Sequence, residues 1–353
     1  MKSLQVCVIG PAQSGKSTIV KMLKQKLEIE TEDYTCHSFK IGDALVYLAD
    51  APYDTMKIKP TLALMAEADA CLFCVPATID LPKLGELILL INYMKLESGV
   101  IAITMTDSAP ENVDRLKAVL PKILAETSLK NIEIIGTSSL TEEGFTELTT
   151  ALTQLAPKHR DANGKFKMGI EAPVEGKSGF TSVVGVIDRG SVKKHDKTFM
   201  MPWTKEFIVQ EIKVEGIIVE KAVAGQRVDI LYKGLNKWDI QQGDVVAAEG
   251  SLEKGKTITA DFEVSKFFKD ELRQDSEVLF NIGMQTLPVT VTKIVKDGAE
   301  VPSITTGQKA HITIETKVAF AFEKGQHCII YNPDVHWKSI KVVGAGKVHE
   351  GKA

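Results

Sequence analysis

The residues with the clearest chemistry form one short segment near the start of the chain. Residues 10–18, Gly-Pro-Ala-Gln-Ser-Gly-Lys-Ser-Thr, follow an apolar run and open a helical pattern. This is the spacing of a phosphate-binding loop, in which glycines let backbone N–H groups point inward, Lys16 reaches the β- and γ-phosphates and the Ser17 hydroxyl ligates Mg²⁺. The segment predicts a nucleoside triphosphate site, and an ordinary glycine-rich turn is the alternative. The expected binding residues are Gly10, Gln13, Ser14, Gly15, Lys16, Ser17 and Thr18.

The elements around this loop alternate between two periods. The apolar runs are Leu4–Ile9, Ala44–Ala49, Ala70–Val75, Val100–Ile103 and Ile132–Ile135, and stretches with helical spacing separate them. Strands that are apolar throughout and alternate with amphipathic helices are typical of a parallel sheet covered on both faces. We therefore expect an α/β P-loop domain over residues 1–157, with a parallel-rich sheet and helices on both sides.

The second half of the chain has a different pattern. A polar stretch at 156–165 is typical of a linker, and beyond it the helical period almost disappears. Short β-rich runs follow, separated by Gly, Asp and Lys turns, which favours closed β-barrels over a second α/β unit. The remaining length is large for one small barrel, so we expect two β-barrel domains, at 166–255 and 256–353.

Composition narrows the function classes. The chain has 353 residues, and 43 Lys and Arg against 46 Asp and Glu give a net charge of −3. This excludes a protein that coats nucleic acid by bulk charge, but not one with a local basic face. Five cysteines form no disulfide framework, which favours a reducing, cytoplasmic location. No window approaches the roughly 18 to 20 apolar residues that span a bilayer, and no signal-peptide pattern is seen, so we expect no membrane partner.

The order of the motifs resembles that of the translational GTPases, the family of elongation factor Tu and SelB. Asp50 ends the second apolar run, where the family holds Mg²⁺ through water. The segment Thr104-Met105-Thr106-Asp107 follows a strand where GTPases carry Asn-Lys-x-Asp, and Ser138-Ser139-Leu140 stands where the family has Ser-Ala-Leu. The resemblance implies GTP or GDP with Mg²⁺ as ligands, with Ser17 and Asp50 at the metal. It also implies guanine contacts from Thr104, Met105, Asp107, Ser138, Ser139 and Leu140.

The resemblance continues through the second half of the chain. Residues 179–190 are similar to the opening strand of domain II in elongation factor Tu and SelB, and residues 342–348 to the closing strand of domain III. The chain resembles in particular the SelB-like elongation factors of methanogenic archaea, a group proposed to serve pyrrolysine. This implies a monomeric GTP-binding factor that carries a specialised aminoacyl-tRNA to the ribosome. The SelB register also implies that Thr31 is the switch I threonine that binds Mg²⁺ and the γ-phosphate, and a solvated loop threonine is the alternative.

One departure from the family affects catalysis. Residues 50–54 read Asp-Ala-Pro-Tyr-Asp where the family has Asp-x-Pro-Gly-His. Tyr53 lacks the backbone freedom of the glycine, and Asp54 replaces the histidine that orients the attacking water. Because a carboxylate at that position is repelled by the γ-phosphate, we expect weak or absent GTP hydrolysis. Lys16 and Asp54 are then the candidate catalytic residues, and simple adjustment of a surface loop is the alternative. The departure also supports a second hypothesis, a nucleotide-gated tRNA- or ribosome-binding regulator with little or no hydrolysis.

Two further departures affect ligand binding. Thr104 and Met105 replace the Asn and Lys of the guanine motif, and each lost hydrogen bond is worth about 0.5–1.5 kcal/mol. We expect weaker guanine affinity with a surviving preference for GTP over ATP. The family's aminoacyl pocket has an Asp and a Phe where this chain has Ala172 and Val174, with Glu171 in place. The smaller side chains indicate a larger pocket, and an alignment slip or loss of aminoacyl binding is the alternative.

Overall fold

The computed structural model describes residues 2–51, 57–176, 179–336 and 339–352. The chain divides into two compact units, residues 1–158 and 159–353. Each unit is described by itself below. Among the described residues, no helix is both long and apolar enough to cross a membrane.

The first unit is built from strands and helices that alternate along the chain. Its elements are β1 (Lys2–Ile9), α1 (Lys16–Leu23), β2 (Lys26–Glu30), β3 (Thr35–Ile41), β4 (Ala44–Asp50), α2 (Lys59–Glu67), β5 (Ala70–Pro76), α3 (Gly85–Tyr93), β6 (Gly99–Thr104), α4 (Pro110–Leu124), β7 (Glu133–Gly136) and α5 (Phe145–Gln154). They form one sheet in the order β2-β3-β4-β1-β5-β6-β7. The five strands from β4 to β7 in this order are parallel, and β2 and β3 are antiparallel to their neighbours.

Both faces of this sheet are buried. Leu4, Val6 and Val8 of β1 share one core with side chains of α1 and α5. Cys7 and Ile9 point to the opposite face and are also buried. Since side chains alternate along a strand, burial of consecutive residues requires cover on both sides. The expected α/β sheet is confirmed.

Parallel pairing brings the loops that follow the strands to one edge of the sheet. In the register, Val8 of β1 lies beside Asp50 of β4, and Ile9 lies beside Phe73 of β5. The last residue of β5 lies beside Thr104 of β6, and Ile103 lies beside Gly136 of β7. The carboxyl edge of a parallel sheet is where ligands bind in α/β proteins. The phosphate loop, Asp50 and the segments after β6 and β7 all leave the sheet there.

The second unit consists almost entirely of strands. They are β8 (Lys167–Gly169), β9 (Ala172–Glu175), β10 (Phe180–Arg189), β11 (Ser191–Lys193), β12 (Lys197–Met201), β13 (Lys205–Val214), β14 (Ile217–Val219), β15 (Lys221–Val223), β16 (Arg227–Lys233), β17 (Val245–Ala247), β18 (Glu253–Val264), β19 (Glu271–Arg273), β20 (Glu277–Ile282), β21 (Gln285–Lys296), β22 (Ala299–Glu300), β23 (Ser303–Thr305), β24 (Lys309–Phe322), β25 (His327–Tyr331) and β26 (Val342–Lys352).

Two rings of six strands close within this unit. The first runs β12-β17-β8-β10-β16-β13 and closes by pairing of β12 with β13. The second runs β20-β25-β26-β18-β24-β21 and closes by pairing of β20 with β21. Each ring encloses its own apolar core, centred on residues such as Tyr232 in the first and Phe280 in the second. The two expected β-barrels, called barrel II and barrel III below, are confirmed.

Candidate nucleotide-binding site

The loop after β1 has the backbone geometry of an anion-binding turn. Gln13 and Gly15 have positive φ angles of 60° and 80°, and α1 begins directly after Gly15. Left-handed residues in such a loop turn successive N–H groups toward one side, and the N-terminus of α1 adds its positive dipole end. Gly10 has no room for a side chain, since a Cβ there would lie 2.4 Å from Ser14 Oγ and 2.5 Å from the Cys74 carbonyl oxygen.

The Lys16 ammonium is held within this loop. Its Nζ donates to the carbonyl oxygens of Gly10 and Pro11, each at 2.9 Å, and the side chain is buried. Burial lowers the pKa of the Lys16 ammonium, and the nearby Asp50 carboxylate opposes this shift. The loop therefore holds one positive charge at its centre.

Ser17 and Asp50 form the polar pair beside the loop. Ser17 Oγ at the start of α1 donates a 2.8 Å hydrogen bond to Asp50 Oδ2 at the end of β4. Asp50 is 7% exposed, and its Oδ1 is a buried oxygen without a hydrogen-bond partner among the described residues. Burial raises the pKa of the Asp50 carboxyl, while the Ser17 hydrogen bond and the Lys16 charge oppose the shift. A hydroxyl next to a carboxylate with one uncompensated oxygen fits Mg²⁺, which prefers oxygen ligands.

Thr104 links the phosphate loop to the segment after β6. Its hydroxyl donates a 2.8 Å hydrogen bond to the Ser14 carbonyl oxygen, and both residues are buried. Met105 follows with a positive φ of 56°, and its Cε lies 3.7 Å from where a Cβ of Gly15 would be. Thr104 therefore ties the two loops together with a single hydroxyl, and the Met105 side chain lies against the phosphate loop.

Asp107 is the exposed carboxylate of this segment. It accepts hydrogen bonds from Ser138 Oγ at 2.6 Å and from Ser108 Oγ at 3.2 Å. The Ser138 hydrogen bond lowers the pKa of the Asp107 carboxyl, so the group is ionised at neutral pH. Ser138 Oγ also accepts from the backbone N–H groups of Leu140 and Thr141, each at 3.2 Å, which fixes the loop after β7 around it. Ser139 and Leu140 are exposed beside this pair.

Thr31 lies in the turn between β2 and β3. Its hydroxyl accepts from the N–H groups of Asp33 at 3.2 Å and Tyr34 at 3.0 Å, and donates to the Tyr34 carbonyl oxygen at 3.1 Å. Thr35, the first residue of β3 after this turn, lies beside Asp50 in the β3–β4 register. The turn is thus at the carboxyl edge near Asp50, while the Thr31 hydroxyl is used within the turn. Thr31 as a metal ligand stays a prediction. Tyr53 and Asp54 lie outside the described residues.

In barrel II, Glu171 and Arg227 form a buried ion pair. Both carboxylate oxygens of Glu171 accept from the guanidinium of Arg227 in a bidentate arrangement. Ala172 and Val174 follow on β9, where they pair with Val184 and Ser182 of β10 and so share one side of the strand. Ala172 is buried, and Val174 is 45% exposed.

Sequence reasoning missed two neighbours of the nucleotide site. Cys74 of β5 packs against Gly10 and is fully buried, while Cys71 lies on the opposite face of the same strand. All five cysteines are free and buried. His37 of β3 is buried with its Nδ1 unpartnered among the described residues, and its position two residues from Thr35 places it on the Asp50 side of the sheet. In the sequence, Thr35, His37 and Phe39 are two positions apart, so they share one face of the strand, and this spacing is the signal that could have placed His37 there.

A phosphate loop at the carboxyl edge of a parallel sheet, with a serine–aspartate pair beside it, defines a P-loop protein. Together with the two barrels that follow, it has the architecture of a translational GTPase. The comparisons agree with this class: the chain is similar in sequence and in fold to SelB-type elongation factors, as its motifs indicated.

Two curated proteins of Methanocaldococcus jannaschii show the extent of the homology. The selenocysteine-specific elongation factor is 27% identical over 376 aligned positions, which cover 99% of this chain and 80% of the relative. An uncharacterised protein of the same organism is 22% identical over 90% of this chain and 92% of its own length. No family model matches the chain.

Solved structures have the same fold. The crystal structure of SelB from Methanococcus maripaludis in complex with the GTP analogue GppNHp matches with a TM-score of 0.86 and 25% identity, over 100% of this chain and 80% of that chain. Its apo form matches with a TM-score of 0.84 over the same shares. A bacterial selenocysteine-specific factor, EF-Sec, matches in fold with a TM-score of 0.76 and 19% identity, over 98% of this chain and 58% of that chain.

Proposed function

We propose that this chain is a GTP-binding, SelB-like elongation factor that carries a specialised aminoacyl-tRNA to the ribosome. The observation that carries the proposal is the Ser17–Asp50 pair, joined at 2.8 Å beside a complete phosphate loop. Homology over the whole chain to an archaeal selenocysteine-specific elongation factor supports the translational role.

The phosphate loop binds the triphosphate through charge and backbone donors. Lys16 gives up its two carbonyl partners, Gly10 and Pro11, for β- and γ-phosphate oxygens, which compensate its buried charge better than neutral carbonyls do. Gln13, Ser14, Gly15 and Thr18 supply the surrounding turn and the first turn of α1. Because Lys16 is fixed within the loop, phosphate charge is neutralised without a large rearrangement of the backbone.

Ser17 and Asp50 are the groups that hold Mg²⁺ in this proposal. Ser17 and Asp50 would hold the metal, and Thr31 would join them if its hydroxyl were released from its hydrogen bonds within the β2–β3 turn. When bound, Mg²⁺ neutralises charge on the β- and γ-phosphate oxygens. Loss of the turn hydrogen bonds of Thr31 then makes the β2–β3 turn a nucleotide-sensitive segment.

Asp107 recognises the guanine base in this proposal. An ionised, exposed carboxylate accepts two neighbouring guanine donors, N1–H and the 2-amino group, whereas adenine offers no such pair. Ser138 holds Asp107 in place, and Met105 and Leu140 offer apolar contact to the faces of the base. Thr104 keeps this recognition segment in register with the phosphate loop.

The side of β9 that carries Ala172 and Val174 receives the aminoacyl group in this proposal. Glu171 is neutralised by Arg227, and the small side chains of Ala172 and Val174 leave more room than the Asp and Phe of elongation factor Tu. This favours a large, uncharged amino acid over a small anionic one.

Retention of tRNA on filters tests the proposal. Aminoacylated and deacylated tRNAs from the source organism are offered to the protein with GppNHp or with GDP. We expect retention of a narrow set of aminoacyl-tRNAs, at least about tenfold better with GppNHp than with GDP, and Lys16→Ala should abolish the difference. Equal retention of acylated and deacylated tRNA would overturn the delivery function.

A nucleotide-gated regulator with little or no hydrolysis is the second candidate, and Asp54 is the residue that favours it. Both candidates bind GTP, but only a working factor turns it over on the ribosome. We expect slow phosphate release from the wild-type chain and faster release from Asp54→His, because a neutral imidazole can orient water without repelling the γ-phosphate. Ribosome-stimulated release by the wild-type chain would favour the elongation factor, and its absence would favour the regulator.

A further inference from the structure

Trp238 is the most exposed of the large apolar side chains in the described residues of the chain. Its side chain is 81% exposed, on a short 3₁₀ turn (Lys237–Asp239) between β16 and β17 of barrel II. Tryptophan is normally largely buried, since its indole offers the largest apolar surface of any side chain. At this exposure the indole contributes little to the barrel core, so its role must be sought in a ligand.

The loop that carries Trp238 is firmly anchored. Leu235 and Ile240, on either side of it, are each 5% exposed and belong to the barrel II core. Thr181 Oγ1 donates a 2.7 Å hydrogen bond to the Leu235 carbonyl oxygen. The backbone N–H of Trp238 donates to Asn236 Oδ1 at 3.1 Å, which caps the turn. These contacts fix the backbone of the turn that carries the indole, so little backbone ordering is needed when a ligand binds.

A cation is placed on one face of the indole. Lys237 Nζ lies 4.6 Å from the ring centroid and forms a 2.5 Å ion pair with Glu175 of β9. The ion pair limits the positions open to the lysine, and the cation–π contact occupies one ring face. With 81% of the side chain exposed, the opposite face is open to solvent.

The chemistry of this arrangement fits a nucleotide better than a protein surface. A stacked base needs one open aromatic face, and a phosphate next to it needs a cation, which Lys237 provides. A protein hot spot needs a ring of apolar neighbours that excludes water. Along this loop the residues next to Trp238 are instead polar or charged, namely Asn236, Lys237, Asp239 and Gln241.

We propose that Trp238, with Lys237 beside it, is a stacking site for an unpaired RNA base. The inference rests on the proposed function, which supplies two RNA sources: the carried tRNA and the ribosome. Base–aromatic stacking is worth about 1–3 kcal/mol per base, which corresponds to about 5- to 100-fold in affinity.

Four variants test the site in the full-length chain. Trp238→Ala removes the platform, Trp238→Phe retains an aromatic face, Lys237→Gln removes the cation, and Trp203→Ala changes another partly exposed tryptophan of barrel II as the matched control. Because Trp238 is exposed, the urea concentration at the unfolding midpoint should be the same for Trp238→Ala as for the wild-type chain. Binding is measured to a short single-stranded RNA, to aminoacyl-tRNA in the presence of GppNHp, and to ribosomes. Quenching of Trp238 fluorescence by RNA is obtained by subtracting the emission of Trp238→Phe from that of the wild-type chain.

The predicted result is that Trp238→Ala weakens binding to at least one RNA about 5- to 100-fold, with much smaller effects of Trp238→Phe and none of Trp203→Ala. The arm that shows the loss identifies tRNA or ribosome as the source of the base. Wild-type RNA binding that Trp238→Ala leaves unchanged would overturn the stacking site alone. Loss of ribosome binding without any change or quenching in the RNA arms would assign Trp238 to a protein partner and also overturn it. A wild-type chain that binds no RNA would instead overturn the proposed function.

Discussion

The Ser17 hydroxyl donates a 2.8 Å hydrogen bond to the Asp50 carboxylate, and so joins the start of α1 to the end of β4. The two residues are 33 positions apart in the chain and meet because β1 and β4 are parallel neighbours. The other Asp50 oxygen is buried without a partner among the described residues. A cation at this point would compensate both oxygens, which is the physical basis for the proposed metal site.

Removing the Ser17 hydroxyl should weaken nucleotide binding only when Mg²⁺ is present. Ser17→Ala is expected to lower the affinity for Mg²⁺–GTP by at least about tenfold, since one metal ligand is lost. With Mg²⁺ removed by a chelator, the variant and the wild-type chain should bind GDP alike. Thr150→Ala, which removes an exposed helix hydroxyl of α5, serves as the control. Calorimetric titration with and without Mg²⁺ checks this, and an equal loss under both conditions would remove Ser17 from the metal.

The Thr104 hydroxyl is predicted to support nucleotide binding through the backbone. Thr104→Val leaves the buried Ser14 carbonyl oxygen without its donor, at a cost of about 1–3 kcal/mol. We expect GDP affinity to fall by at least about fivefold, because the phosphate loop loses its tie to the base-recognition segment. Thr137→Val is the matched control, as it removes a buried threonine hydroxyl that donates to the Ile103 carbonyl oxygen. Calorimetry should show a loss for Thr104→Val only; similar losses in both variants would mean that the effect is one of general stability.

Guanine recognition should depend on pH through Asp107. The Ser138 hydrogen bond lowers the pKa of this carboxyl, so the ionised form persists into acid and guanine affinity should fall only below the ordinary Asp range. Ser138→Ala removes the hydrogen bond and should move the decline to higher pH. Asp107→Asn should reduce the preference for GDP over ADP by about 10- to 100-fold, the worth of charge-assisted hydrogen bonds. Competition binding from pH 2.5 to 7 checks both, and a Ser138→Ala profile identical to wild type would contradict the assigned role.

Asp244 predicts a pH dependence of stability in the barrels. Burial raises the pKa of its carboxyl to about 6, against the hydrogen bond from the Gln241 N–H. Because the folded-state pKa lies above the unfolded value of about 3.9, the stabilisation by the protonated form is complete below that value and is lost as the pH rises through about 6. Relative to Asp244→Asn, the wild-type free energy of unfolding should thus fall by about 1–3 kcal/mol between pH 4 and 7.

Tryptophan fluorescence is a suitable readout for this prediction, since all three tryptophans, Trp203, Trp238 and Trp337, belong to the second unit. Urea unfolding of wild type, Asp244→Asn and the exposed control Asp239→Asn is compared across the pH range. If the free energy of unfolding of the wild-type chain changed with pH in parallel with that of Asp244→Asn, the pKa of Asp244 would not be raised.

The parts of the site that lie close together in sequence could be predicted from it. The phosphate loop is fixed by glycines, a lysine and a serine at set spacing, and Asp50 by its place at the end of an apolar run. Local periodicity also distinguishes the α/β half from the barrel half, because strands and helices have different side-chain periods. These features depend on neighbours along the chain.

Pairings between distant residues could not be predicted. Thr104 contacts Ser14 across 90 positions, and Glu171 contacts Arg227 across 56. Barrel closure through β12 and β13, or through β20 and β21, likewise depends on register and packing rather than on local pattern. The exposure of Trp238 belongs to the same class, since composition alone places tryptophan in the core.

Titration of the nucleotide-free, full-length chain with GTP, GDP and ATP in the presence of Mg²⁺ tests the central claim most directly. We predict saturable binding of GTP and GDP at one site, clear preference over ATP, and loss of GTP binding in Lys16→Ala. Equal binding of ATP and GTP would contradict the assignment of Asp107 to guanine. No binding of any of the three nucleotides would contradict the account at its base, because the phosphate loop would then have no ligand to hold.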